Sequence, residues 1–296
     1  MQHATRREFL KLASAGAAAA SLNLSAFGSA LGLPVGLQLY SVRDLLPHDF
    51  AGTLKQISAI GYKEVESAGY YNHSSKEVKD ALDAAGLRMP SAHYSYSDLA
   101  KNLDSILEFN RPLGVRTIIC SYPGFKNPHQ AKTSPRDFTM TDWHWNAERF
   151  NAFGEKARAA GMAFGYHNHT MEFRKENGIA PLDVLIRETD PKLVTFEMDC
   201  GWVVVGGGNP VDFLHRYPKR ISMLHVKDFK KAPGDNSIVH PPPAAELGTG
   251  IIDYHPIFAA AKAAGIRHLF VEQEEFNLPP MQSLRIDFNY VNSFPA

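Results

Sequence analysis

Two imidazoles, an amide and a carboxylate crowd into Gly165-Tyr166-His167-Asn168-His169-Thr170-Met171-Glu172-Phe173. The stretch follows Met162-Ala163-Phe164, an apolar run that reads as a short buried strand. Side chains alternate faces along a strand, so His167 and His169 are expected to point the same way. Imidazoles beside a carboxylate can hold a divalent metal or run acid–base chemistry. A polar strand end whose histidines bond backbone groups would look the same in isolation. Other apolar runs, however, end in the same residue types. The run 87–93 ends in His93, and 193–199 in Glu197 and Asp199. The run 221–226 carries His225 with Lys227 and Asp228 beyond, and 267–272 ends in Glu272 with Glu274 beyond. A buried carboxylate without a partner costs several kcal/mol. So many at one rim call for a cation or water, and a metal site is the favoured reading.

For these residues to meet, their strands must lie side by side. Strands are expected at 35–41, 62–66, 87–93, 116–120, 162–164, 193–199, 221–226 and 267–272. Helical spacing falls between them: 50–60 stopping at Gly61, 75–85 stopping at Gly86, 98–110, and a helix capped by Asp142 and ending near Gly161. Helices at 182–188, from 210, at 254–264 and near Ser283 follow. Strict alternation implies a parallel sheet, and eight strand-helix units imply an α/β fold closed as a single (β/α)8 TIM barrel. A doubly wound sheet is disfavoured because no G-x-G-x-x-G follows the first strand. In such a barrel the C-terminal strand ends share one mouth. Segment 121–141 reads as a lid or site-forming loop, and 230–250, with Pro241-Pro242-Pro243, as irregular. Trp143, Trp145 and Trp202 are expected mainly in the core, with Trp202 close enough to Asp199 to stack on a ring bound at the mouth.

The chain has 296 residues, 44% hydrophobic and 21% charged, with zero net charge. This composition suits a globular domain and offers no electrostatic footprint for nucleic acid or anionic membrane. Two cysteines, Cys120 and Cys200, are too few for a disulfide scaffold. Residues 34–296 form the expected barrel domain, and residues 1–30 an extension. Thr5-Arg6-Arg7-Glu8-Phe9-Leu10-Lys11 precedes an Ala-rich, weakly apolar segment, and Gly28-Ser29-Ala30 offers small residues for cleavage. This resembles a twin-arginine signal peptide and implies export of a folded protein to the periplasm. The apolar stretch is too short and too broken by Ser and Asn for a membrane span.

Phe196-Glu197-Met198-Asp199-Cys200-Gly201-Trp202, Leu224-His225-Val226-Lys227-Asp228, Val271-Glu272-Gln273-Glu274 and the Tyr-His-Asn-His-x-x-Glu-Phe stretch together resemble the sugar phosphate isomerase/epimerase family of xylose isomerase-like barrels. Gly36-Leu37-Gln38-Leu39-Tyr40-Ser41-Val42-Arg43 is similar to that family's first strand. The resemblance implies a divalent ion (Mn, Co, Mg or Zn) held by Glu172, Asp199, His225 and Glu272, with His167 in reserve for Glu172. It also implies catalytic roles for Glu272, Glu172, His167 and His169, and substrate contacts from His93, Trp202, Lys227 and Asp228. Lys227 and Asp228 could equally pair with each other. The activity so implied is metal-dependent isomerisation or epimerisation of a free sugar or keto-sugar, by proton removal next to a metal-bound carbonyl. Elimination from a 3-keto-glycoside supplied by a partner sugar oxidoreductase is the alternative. A DNA-repair enzyme like endonuclease IV, or a non-catalytic sugar-binding barrel, fits less well. A homo-oligomer is compatible with either leading reading.

Overall fold

The computed structural model describes residues 30–127, 134–234, 237 and 239–295. The twin-arginine segment lies outside the described residues. Eight parallel strands close into a barrel: β1 (Val35–Gln38), β2 (Glu64–Ser67), β3 (Arg88–Ser95), β4 (Thr117–Tyr122), β5 (Ala163–His167), β6 (Val194–Asp199), β7 (Ile221–Val226) and β10 (His268–Val271). Each strand pairs with its sequence neighbour, and β1 closes the ring against β10. Two short strands, β8 (Asp228–Phe229) and β9 (Ala244–Ala245), form an antiparallel pair outside the barrel. The segment expected to be irregular thus holds one rung of structure. Lys230 N donates to the Pro243 carbonyl at 2.9 Å, so the proline run ends where pairing starts.

Local chemistry sets the helix limits. Asp49 accepts from Gly52 N before helix Phe50–Ile60, and Gly61 follows it. Ser74 and Glu77 form a reciprocal capping box before Ser75–Ala85, and left-handed Gly86 stops that helix. Met140–Ala159 starts ahead of the expected Asp142, because Thr139 is the cap and Asp142 its capping-box partner. Pro90 sits inside β3, where the pairing with β2 shifts register between Glu64 and Glu66. The irregularity absorbs the missing N–H.

Inside the barrel, Ile119, Met223 and Phe270 form an apolar floor beneath the mouth. Gly36 and Gly165 make room for it: a Cβ at Gly36 would lie 2.4 Å from the Phe270 ring, and one at Gly165 2.6 Å from Ile119 Cδ1. Alternation then lifts the next inward residue of each strand above that floor, placing His225 over Met223 and Glu272 over Phe270. Among the described residues no helix is long and apolar enough to cross a membrane.

One buried acid lies outside the mouth. Asp287, on helix Pro280–Asn292, accepts from Leu247 N at 2.7 Å, while its Oδ2 has no hydrogen bond. Burial, helped by Glu246 and Asp228, pushes its carboxyl from 3.8 up to about 7. The folded chain therefore favours the protonated form. This contribution to stability is present in full below about pH 4 and is lost as pH rises through about 7. A tenfold change in proton affinity corresponds to ~1.4 kcal/mol, so the loss is a few kcal/mol at most. Asp287→Asn should be nearly silent in melting temperature at pH 4 and should melt above the parent at pH 8. Parallel melting curves across that range would refute the assignment.

Candidate metal centre

Seven strands deliver polar side chains to one buried layer at the C-terminal end of the barrel. Gln38 comes from β1, Glu66 from β2, His93 from β3, His167 from β5, Glu197 and Asp199 from β6, and His225 from β7, while Glu272 follows β10. Glu66, Glu197, Asp199 and His225 are fully buried, and His167, Lys227 and Glu272 nearly so. Glu197 and Asp199 share the inner face because they stand two apart on one strand.

Two groups share His167 and His225. His167, Asp199, His225 and Glu272 present ligand-type atoms all within 4.8 Å of one another, as do His93, His167, Glu197 and His225. His225 Nδ1 lies 3.2 Å from Glu272 Oε2 and 3.9 Å from Asp199 Oδ2. Its Nε2 lies 2.7 Å from Glu66 Oε2 and 3.2 Å from Glu197 Oε2. His93 Nε2 sits 2.6 Å from Glu197 Oε2 and 2.9 Å from Glu66 Oε2. Lys227 Nζ is 2.7 Å from Glu272, 2.6 Å from Glu274 and 3.3 Å from Asp199, and it rides over the Trp202 ring at 4.3 Å.

The electrostatics follow from four buried carboxylates, two of them against Lys227 and two against the histidines. Burial and Glu272 push Asp199 up to about 6 against the pull of Lys227. Glu272 is held well below its usual range despite burial, by Lys227 and His225. Burial opposes charge on His93, yet Glu66 and Glu197 lift it to about 9. Burial and His225 bring His167 down to about 3, and burial with His167 and Lys227 keeps His169 well below its usual range.

The first group fits a divalent ion on its donors. It offers two imidazoles and two carboxylates from four adjacent strands, a mixed shell suited to Mn, Co or Zn. Asp199 Oδ1 accepts from Trp202 N at 2.8 Å, while its buried Oδ2 has no hydrogen bond and faces the group. Lys227 Nζ, shared with Glu272 and Glu274, answers that oxygen from 3.3 Å, and a cation there would offset the remaining negative charge.

Glu172 does not join this group; His167 takes its place. Glu172 is fully buried beside β5, bound by the Tyr166 hydroxyl and by His169 N at 3.0 Å, and burial pushes it up to about 7. The reason is local: β5 ends at His167, and the turn Met171–Phe173 folds Glu172 back onto Tyr166. Asp228 also departs from its expected roles. Its carboxylate accepts from the backbone N–H of Phe229, Gly250, Ile251 and Ile252, fixing the loop, and Lys227 pairs with Glu272, Glu274 and Asp199 instead. Trp143 is core, whereas Trp202 packs at the site between Lys227 and Phe229. Gln38, Glu66 and the role of Glu197 were not foreseen. The one available signal was the Glu64-Val65-Glu66 alternation, which puts two acids on one face of a strand. Glu64 is answered by Arg88 and His268, and Glu66 by the site.

A cavity of about 600 Å³ opens above this layer. His93, His167, His169 and Glu272 reach it, and Tyr40, Tyr70, Tyr94 and Tyr122 wall it. Among the described residues no Lys or Arg lines it. His169 is half-buried there, its ring 5.0 Å from that of His167, and its Nδ1 has no protein partner.

Comparison with known proteins agrees with this architecture. Inosose dehydratase of Geobacillus thermodenitrificans is 27% identical over 249 residues, covering 76% of this chain and 82% of the relative. A crystallised sugar phosphate isomerase/epimerase from Parabacteroides distasonis superposes with a TM-score of 0.72 at 25% identity, over 92% of this chain and 96% of that one. A xylose isomerase-like barrel from Mycobacterium smegmatis, solved in complex with magnesium, gives 0.67 at 14% identity over 89% and 97%. The family profile of xylose isomerase-like TIM barrels matches residues 54–292, and the chain belongs to that family.

Proposed function

We propose that this chain is a divalent-metal-dependent enzyme that moves a proton next to the carbonyl of a free, unphosphorylated sugar or keto-sugar, as an isomerase or epimerase. The observation that carries the reading is the pairing of the His167–Asp199–His225–Glu272 group with a tyrosine-walled cavity free of Lys and Arg among the described residues. Aromatic walls suit sugar faces, whereas a phosphate would ask for cations or a helix N-terminus. Lys227, close to the cavity, is already bound by three carboxylates.

The residues placed to hold the ion are His167, Asp199, His225 and Glu272. When bound, such an ion supplies Lewis-acid polarisation of a carbonyl oxygen. The protein supplies the proton carriers. Glu272 remains ionised because Lys227 and His225 stabilise its charge, so its carboxylate can accept a C–H proton. His169, kept neutral and with one ring nitrogen unpartnered, offers a second carrier at the cavity wall. Lys227 orients Glu272, and Tyr40, Tyr70, Tyr94 and Tyr122 orient the ring and exclude water.

Elimination is the second reading, favoured by relatives named as dehydratases. The same abstraction followed by loss of a substituent from the next carbon gives an unsaturated ketone. A 3-keto-glycoside substrate would come from an upstream sugar oxidoreductase, and export through residues 1–30 would put the reaction in the periplasm. The test is incubation of the metal-loaded protein in D2O with ketoses, 3-keto-glycosides and their phosphate esters, followed by NMR. Deuterium should enter next to the carbonyl in the unphosphorylated compounds, with a new epimer or an unsaturated product separating the two outcomes. Exchange confined to phosphate esters, or none at all, would end the proposal.

A further inference from the structure

Beneath the four proposed ligands lies a second tier in which one oxygen of each carboxylate, Oε2, gathers nitrogens, while each buried Oε1 has no hydrogen bond. Glu66 Oε2 accepts from Gln38 Nε2 at 2.7 Å and lies 2.7 Å from His225 Nε2 and 2.9 Å from His93 Nε2. Glu197 Oε2 lies 2.6 Å from His93 Nε2, 3.1 Å from His167 Nδ1 and 3.2 Å from His225 Nε2. Each carboxylate uses a single oxygen as a hub for three nitrogens, at hydrogen-bond distances. An oxygen so engaged has no lone pair to spare for an ion. His93 Nε2 and Glu197 Oε2 hydrogen-bond each other, which accounts for their place among the ligand-type atoms without a second cation.

Ring chemistry gives this tier a task. An imidazole that binds an ion through one nitrogen carries its proton on the other, and a buried N–H requires an acceptor. His225 faces Glu272 and Asp199 with Nδ1 and Glu66 with Nε2. His167 faces Glu197 with Nδ1, which leaves Nε2 for the ion. We propose that Glu66 and Glu197 are positioning residues that fix the tautomers of His225 and His167, and that His93, standing between their oxygens, ties both into one rigid unit. The inference rests on the ion-binding reading above and adds that the centre holds one ion, supported from β2, β3 and β6. Gln38 completes the tier from β1 by filling an acceptor site on Glu66.

The test uses zinc, which is diamagnetic, and protein labelled with 15N-histidine. In the zinc-loaded parent, His225 should carry its proton on Nε2 and His167 on Nδ1, at one zinc per chain. Glu66→Gln and Glu197→Gln should each bind zinc ~10–100-fold more weakly in chelator competition, as outer-sphere changes typically do. Both should still reach one zinc per chain at saturation. The opposite tautomers in the parent would overturn the inference even if neither variant folds. So would unchanged zinc affinity in both variants, or two zinc ions in the parent with one lost from each variant. A parent that takes up no divalent ion of any kind would overturn the ion-binding reading as well, which separates the two failures.

Discussion

Asp199→Ala is expected to release the divalent ion and to lower turnover by about 10³ or more, while the barrel stays folded. Lewis-acid stabilisation is worth several kcal/mol, and each ~1.4 kcal/mol of barrier is tenfold in rate. Asp199 does two jobs with two oxygens. Oδ1 caps the backbone N–H of Trp202 at 2.8 Å, and Oδ2 faces the ligand group without a hydrogen bond. Loss of the cap alone costs ~1 kcal/mol. Asp199→Asn separates the jobs, since an amide oxygen can still cap but carries no charge for the ion. Elemental analysis should therefore show two ion-poor proteins, and with the ion stripped from parent and variants alike only the alanine variant should melt lower. The barrel core beneath the mouth, with Ile119, Met223 and Phe270, is untouched in both. Full ion occupancy in both variants would remove Asp199 from the site.

Glu272→Gln should separate ion binding from proton transfer. The amide keeps the side chain's shape and an oxygen that can still accept from Lys227, now 2.7 Å away, but it cannot take up a proton. A positioned acid or base typically contributes ~10²–10⁴ in rate. The variant should thus keep part of its ion and lose deuterium exchange by about that factor. His169→Asn is the companion experiment. If His169 serves the other side of the substrate, its variant should still exchange the abstracted proton while product formation falls. Wild-type exchange in Glu272→Gln would pass the base role to His169, which also reaches the cavity.

The barrel was legible because its signals are local. Caps at Asp49, Ser74 and Asp253 and stops at Gly61, Gly86 and Gly265 fix three helices to the residue. Strand ends bearing Asp199, His225 and Glu272 announced the mouth for the same reason. The remainder depends on contacts made across the ring. Gln38 and Glu66 sit in short strands where a polar residue reads as solvent-facing, and only closure of β1 and β2 turns them inward. The choice between His167 and Glu172 depended on where β5 stops, which a count of residues does not tell. Asp228 meets amides 22 to 24 residues further on, a partnership with no trace in the spacing.

The cap on Trp202 also bears on which ions the pocket can tolerate. With one oxygen held by a backbone amide, Asp199 presents chiefly its other oxygen to an ion. Calcium prefers six to eight oxygens and often grips a carboxylate by both. Here it would meet a single-pronged aspartate and two nitrogen donors. Smaller ions that accept imidazole lose nothing by that arrangement. The six-residue helix Cys200–Val205, started by that same hydrogen bond, would thus weigh against calcium in the proposed centre.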